Sequence, residues 1–256
     1  MREINSPIKK VAIKILPQTI KNQIRKVLSV RSKLMPIAKR ECNICGYKGF
    51  FGRFGRPIRL DASCPSCGAL ERHRLLMLAV SRGEIKNFAN ENSQVLHFAP
   101  EKILEAKFRK RFNNYITADL YAEADLVLNL ENINVEDEQY DVIIANHVLE
   151  HVDDKKASSE LSRILKKGGV LVCQVPIVEG WNTTYENDAI NTNDERWLHF
   201  GQGDHVRFYG ADFRKRICAG GFKLIKECTS EGSDVIRYGL SRGEKVFVFE
   251  KNQVKK

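Results

Sequence analysis

Four cysteines stand at a spacing that can hold a metal ion. CNIC (42–45) and CPSC (64–67) together form C-x2-C-x18-C-x2-C. Zn²⁺ takes four soft ligands in a tetrahedron, and each C-x2-C pair supplies two thiolates from one tight turn. Gly46 and Gly68 follow the two pairs, where the backbone must turn sharply. Four thiolates leave no open position, so Cys42, Cys45, Cys64 and Cys67 point to a structural zinc site, not a catalytic one. Disulfides are the competing use, and they suit a reducing compartment poorly. GFFGRFGR (49–56) lies between the pairs, rich in glycine and aromatics as in a hairpin too small for a core of its own. Arg53, Arg56 and Arg59 either serve nucleic acid or form a solvated face. Cys173, Cys218 and Cys228 sit in apolar surroundings and read as core residues.

A second group of reactive side chains lies in the long polar stretch 177–208, which holds two tryptophans, Tyr185, Glu186, Arg196, Asp204, His205 and Arg207. A connection of that length is uncommon unless it is functional or disordered, and its aromatic content argues against disorder.

These residues need a scaffold. After the cysteines, helix-like and strand-like patterns alternate. Helices are expected over 69–80, 103–112, 155–165 and 209–220. Strands are expected over 94–99, 114–120, 124–130, 140–146, 169–176, 222–228 and 245–250. Lys-Lys-Gly-Gly (166–169) is expected to close the third helix as a C-cap. The pattern implies an α/β, Rossmann-like, doubly wound and mostly parallel sheet with helices on both faces, preceded by a small zinc ribbon. Ligands bind at the carboxyl ends of such strands. The organisation is a basic leader (1–40), a ribbon (41–69) and a Rossmann-like domain (70–256).

The net charge of +10 is concentrated: residues 1–40 hold eleven Lys/Arg and one acid, and 41–256 balance to zero. A basic groove for nucleic acid would spread that charge over the globular part. Within the leader, Ile20, Ile24, Val27 and Leu28 share one helical face, with Lys21, Arg25 and Lys26 on the others. Such a helix suits an anionic membrane surface or a partner, and equally the protein's own core. No signal peptide and no eighteen-residue apolar run are present, so a cytoplasmic protein is expected, with a possible peripheral contact at the inner membrane face.

YDVIIANHVLEHV (140–152), SSELSRILKKGGVLVCQVP (158–176) and AGGF (219–222) resemble the class I S-adenosylmethionine-dependent methyltransferases over about residues 90–250. Together with the cysteine pairs, ERHR (71–74), LHFAPE (96–101) and FGQGDHVRFYG (200–210) resemble a bacterial subgroup carrying an N-terminal zinc ribbon. Some of that subgroup occur with cell-surface polysaccharide enzymes. The family's first motif is an acid followed by alternate glycines. Here His97 replaces the acid, and Ala99, Glu101 and Ile103 replace the glycines. The ligand has no phosphate, so fewer glycines are tolerable if a pocket remains. The resemblance implies S-adenosylmethionine contacts from His97, Phe98, Ala99 and Glu101, with Glu101 meeting the amine. Asp119 is expected at the ribose or as a turn residue. Asn129 and Leu130 fall near the adenine, and Asn146 at the cofactor–acceptor junction. His147 shares that junction or merely starts a helix, and His151 reads as structural. The implied reaction is methylation of a small-molecule or saccharide hydroxyl. His205 is the candidate base, Asp204 either orients it or pairs with Arg207, and His147 is the reserve. The alternatives are an RNA or protein methyltransferase that uses the ribbon as a clamp, and an inactive binding module.

Overall fold

A computed structural model describes residues 36–252 together with Pro17, Thr19, Ile20 and Gln23. The leader's apolar stripe lies largely outside the described residues. Among those described, no helix is long and apolar enough to cross a membrane.

The ribbon consists of two short hairpins. β1 (Lys39–Glu41) pairs with β2 (Lys48–Phe50), and β3 (Gly52–Phe54) with β4 (Arg59–Ser63), all antiparallel. Each cysteine pair closes a turn of the same form. Gly46 N–H donates to the Cys42 carbonyl and Gly68 N–H to the Cys64 carbonyl, both at 2.8 Å. Both glycines take a left-handed backbone (φ 80° and 74°), which a side chain would strain.

The main body is a seven-stranded sheet. Its strands are β5 (Gln94–Phe98), β6 (Asn114–Asp119), β7 (Leu126–Val127), β8 (Tyr140–Asn146), β9 (Leu165–Gln174), β12 (Phe222–Thr229) and β13 (Lys245–Lys251). Their order is β12-β13-β9-β8-β5-β6-β7. The pairs from β9 to β7 are parallel, and β13 runs antiparallel to both neighbours. Two apolar layers form by alternation along the strands. Val142, Ile144, Val170, Val172, Val246 and Val248 face one side, where α1 (Glu71–Ser81), α2 (Lys102–Arg111) and α6 (Gly232–Tyr238) pack. Ile143, Ala145, Leu171, Cys173, Phe247 and Phe249 face the other, under α3 (Asp154–Ile164) and α5 (Phe213–Ala219). The doubly wound sheet with helices on both faces is the architecture expected from the alternation.

Several local expectations differ. Lys-Lys-Gly-Gly does not cap a helix: α3 ends at Ile164 and these residues lie inside β9, where Gly168 has φ 74° beside a register shift between Tyr140 and Val142. The glycine serves a bulge. The strand expected over 124–130 shrinks to Leu126–Val127, because Asn129 Oδ1 accepts from Glu131 N–H (2.9 Å) and turns the chain. The helix expected from 209 starts at Phe213, because Tyr209 bridges to Ile177 in parallel register. The 177–208 connection carries β10 (Tyr185–Glu186), α4 (Asn193–Phe200) and β11 (Arg207–Phe208). Thr192 and Glu195 cap α4 reciprocally, a signal readable in TNDE (192–195). α6 is too short for periodicity to mark it.

ERHR joins the parts. Glu71 binds Arg59 of β4 (2.8 Å), and Arg72 and His73 approach Glu101. Arg74 is fully buried over the Phe51 ring. Its guanidinium donates to the carbonyls of Ala62 and Ala69 on the ribbon side and of Tyr238 and Gly239 at the end of α6. One side chain thus fixes ribbon, helix and sheet edge together.

Candidate active site

The turn after β5 contains a left-handed residue that is not glycine. Ala99 lies at φ 46°, held by its N–H to the Ala118 carbonyl (2.8 Å). A left-handed alanine costs about 1–2 kcal/mol, so packing enforces the conformation. His97 is fully buried; its Nδ1 meets the Tyr115 hydroxyl at 2.7 Å and its Nε2 faces Glu101 at 3.5 Å. On the other side His73 Nδ1 accepts the Leu70 N–H (3.2 Å), which turns its Nε2–H to Glu101 at 3.4 Å. Burial pushes the Glu101 carboxyl up, but the two imidazoles outweigh it and hold the group well below the usual carboxylate range. Glu101, expected to meet the cofactor amine, is engaged in this internal cluster and is the N-cap of α2.

Asp119 ends β6. Its Oδ1 accepts from the N–H groups of Tyr121 and Ala122, both at 2.7 Å, so it is a turn former as well as a candidate ribose ligand. Its second oxygen accepts no hydrogen bond among the described residues. Asn129 is occupied in its own turn and Leu130 is buried in the core. Phe98 is buried beneath the turn, and Asn146 is buried at the end of β8.

The largest change from expectation lies beyond β8 and β9. A cavity of about 580 Å³ opens at their carboxyl ends, walled by His147, Glu150 and His151, by Val175–Ile177, by Gln202 and His205, and by Arg59, Glu71 and Glu244. Its surroundings hold buried polar atoms without hydrogen-bond partners among the described residues: both amide atoms of Asn146 and Gln174, both carboxylate oxygens of Glu150, His147 Nε2, His205 Nδ1 and Glu244 Oε2. Asn146 and Gln174 face each other in register on adjacent strands. Native proteins rarely leave buried polar atoms unpaired, so such a concentration marks a place built for a ligand. His147 takes φ 52°, its N–H donating to the Gln174 carbonyl (2.7 Å) and its Nδ1 lying 3.4 Å from Glu150.

His205 reaches the cavity because Val206 N–H donates to the Glu150 carbonyl (3.0 Å), which pins the loop to the 3-10 turn at Leu149–His151. Burial lowers the His205 pKa, and the Glu150 charge opposes the shift only in part. Asp204 does not orient His205 and does not pair with Arg207. It is exposed, and both its carboxylate (3.3 Å) and its backbone carbonyl (3.2 Å) face His151 Nδ1. His151, expected to be structural, is therefore a cavity residue. Arg207 turns inward instead, to Glu186 (2.9 Å), to the Leu149 and Val152 carbonyls and toward buried Asp154. Glu186 also receives Arg216, so this pair is structural. Sequence reasoning missed Glu150, Gln174 and Glu244. Glu150 stands between two histidines in HVLEHV, and Gln174 is the polar end of an apolar strand; both were readable signals.

The four cysteine sulfurs lie within 4.8 Å of one another, with Cys42–Cys67 and Cys45–Cys64 each at 3.7 Å. Four sulfurs at about 2.3 Å from one tetrahedral zinc would stand about 3.8 Å apart, so the donor set fits that ion.

Residues 84–173 match the family model described as "Methyltransferase domain". No curated protein matches the chain. Among solved structures, an S-adenosylmethionine-dependent methyltransferase from Mesorhizobium loti is 11% identical, with 69% of this chain and 98% of that one covered at a TM-score of 0.49. The N-methyltransferase NodS of Bradyrhizobium japonicum is 15% identical over 72% of this chain and 88% of its own, at 0.44. The 1,6-didemethyltoxoflavin-N1-methyltransferase of Burkholderia thailandensis is 12% identical over 70% and 76%, at 0.47. The matched segment runs from the approach to β5 through most of β9, so the chain carries a methyltransferase domain and is an enzyme.

Proposed function

We propose that this S-adenosylmethionine-dependent methyltransferase methylates a hydroxyl of a small molecule or saccharide held in the cavity beyond β8 and β9. The observation that carries the reading is the cluster of unpartnered buried polar atoms around an open cavity of about 580 Å³. That volume suits a small acceptor. The clamp reading is less favoured, because Arg59 of the ribbon is committed to Glu71.

S-adenosylmethionine supplies a methyl group on a positively charged sulfur. The free oxygen of Asp119 suits a ribose hydroxyl, and the Phe98–Ala99 backbone suits the methionine end. The Asn146 amide stands at the junction with the acceptor. Hydroxyl acceptors need a group that removes or weakens the O–H proton. His205, whose pKa burial lowers, and His147 are two groups of that kind at the cavity. Cys42, Cys45, Cys64 and Cys67 hold a structural zinc, which stabilises a ribbon whose small core could not stand alone. The leader is a contact for an anionic surface or partner.

Two measurements test this reading. Calorimetry should show S-adenosylmethionine binding, weakened in Asp119→Ala by about 1–3 kcal/mol for a charge-assisted hydrogen bond. Profiling of methylated products in cells with and without the protein should show an O-methylated small molecule that depends on it. No cofactor binding at high concentration would leave the binding-module reading; a methylated RNA or protein as the dependent product would replace the acceptor class.

A further inference from the structure

We propose that Glu150, His151 and His205 bind a divalent cation in the acceptor cavity, distinct from the ion of the four cysteines. One ligand atom from each of the three lies within 4.8 Å of the others. The cluster joins two segments far apart in sequence, the 3-10 turn after β8 and the end of the long connection, tied by the Val206–Glu150 hydrogen bond.

Each side chain is prepared for a metal in a separate way. Glu150 is 1% exposed and both its oxygens lack hydrogen-bond partners. Its charged-group contact is with an imidazole, His147, and no Lys or Arg pairs with it among the described residues. A buried carboxylate without partners is unfavourable when ionised, and a cation removes that cost. His151 Nδ1 faces the Asp204 carbonyl and carboxylate, so it carries the proton and leaves Nε2 as a free lone pair. Metal-binding histidines are oriented by such outer partners. His205 is buried and keeps an unpartnered Nδ1. The two rings sit edge to face with centroids 4.7 Å apart.

Two imidazoles and one carboxylate suit a first-row ion such as Zn²⁺ or Mn²⁺, with coordination positions left open toward the cavity. This use of the site rests on the methyl-transfer reading; the binding itself does not. A bound cation would make a hydroxyl in the cavity more acidic. His205 would then serve as a ligand, and His147, whose Nε2 is unpartnered, would take the hydroxyl proton while the oxygen keeps the electron pair.

The test is equilibrium dialysis of the zinc-replete full-length protein against Mn²⁺ and, separately, Zn²⁺, with bound metal counted by element. One ion per chain beyond the ribbon's zinc is expected with at least one of the two. Glu150→Gln and His205→Gln should each weaken that second ion tenfold or more and leave the first in place. Electron spin-echo spectra of Mn²⁺ on the unaltered protein should show coupling to imidazole nitrogen, a readout that does not depend on any variant folding. No second ion with either metal, or undiminished binding in Glu150→Gln, would overturn the proposal. S-adenosylmethionine calorimetry on the same samples separates the two readings. A second ion without cofactor binding sinks methyl transfer and leaves the metal site; cofactor binding without a second ion does the reverse.

Discussion

Arg74 and Glu150 are both charged and both buried, and the protein treats them in opposite ways. At the junction of ribbon and sheet, Arg74 finds four backbone carbonyls and an aromatic face. Nearby Asp61 is equally well supplied, by Arg40 and the N–H groups of Ile37 and Ala38. At the cavity, Glu150, Asn146 and Gln174 find almost nothing. Burial alone therefore does not separate Arg74 from Glu150; hydrogen-bond satisfaction does. A satisfied network specifies how pieces dock, and an unsatisfied one stores free energy that a ligand can release.

The largest effect should come from breaking the satisfied side. Arg74→Met removes a donor from each of four carbonyls and should destabilise the fold by about 3–5 kcal/mol, the range for breaking a buried charged network. Chemical denaturation measures the loss, and protease should then cut within residues 39–69 first. A change below 1 kcal/mol would show that the ribbon docks by other means.

Glu101→Gln tests the intermediate case, a carboxylate held by two imidazoles at 3.4 and 3.5 Å. We expect a loss of about 1–3 kcal/mol at neutral pH, as for a hydrogen bond to a charged group. The pH dependence has a definite sign. The folded-state pKa is depressed, so the stabilisation is present above the ordinary carboxylate range, near 4.3, and fades as pH falls below it. Stability measured from pH 3 to 6 should fall less steeply with acid in the variant. Parallel curves would remove Glu101 from the account.

On the unsatisfied side the sign should invert. Gln174→Met replaces an unpartnered buried amide by an apolar chain of similar volume, and should raise stability by about 1 kcal/mol while lowering turnover. A destabilised variant would mean that Gln174 is already satisfied, and would collapse the comparison.

The smallest effect is expected at Ala99→Gly. Glycine relieves the left-handed backbone but frees the unfolded chain, so a net gain of about 0.5 kcal/mol is expected in urea titrations. A loss beyond 1 kcal/mol would show that the Ala99 methyl packs in an essential way.

Much of the scaffold was legible because it is local. Short apolar runs bounded by polar residues, such as Tyr140–Asn146, and the apolar faces of α1 and α3 gave their elements directly, since run length and helical spacing act within a few residues. Errors arose where a distant partner overrode a local pattern. Gly168 and Gly169 read as a helix stop, yet pairing of β9 with β8 drew them into a strand. Tyr209 read as helical until its bridge to Ile177 and its hydroxyl bonds to Leu149 and Asp154 claimed it.

The same division runs through the site. The sequence by itself determined the cysteine geometry, because each C-x2-C-G turn is closed by hydrogen bonds within its own loop. It also determined that His147, Glu150 and His151 leave one strand end together. Only the tertiary structure decided that Asp204 serves His151 and not His205, across 53 residues of chain, and that Arg207 turns inward to Asp154. Which buried polar groups find partners depends on how distant segments pack, and no short window of sequence contains that information.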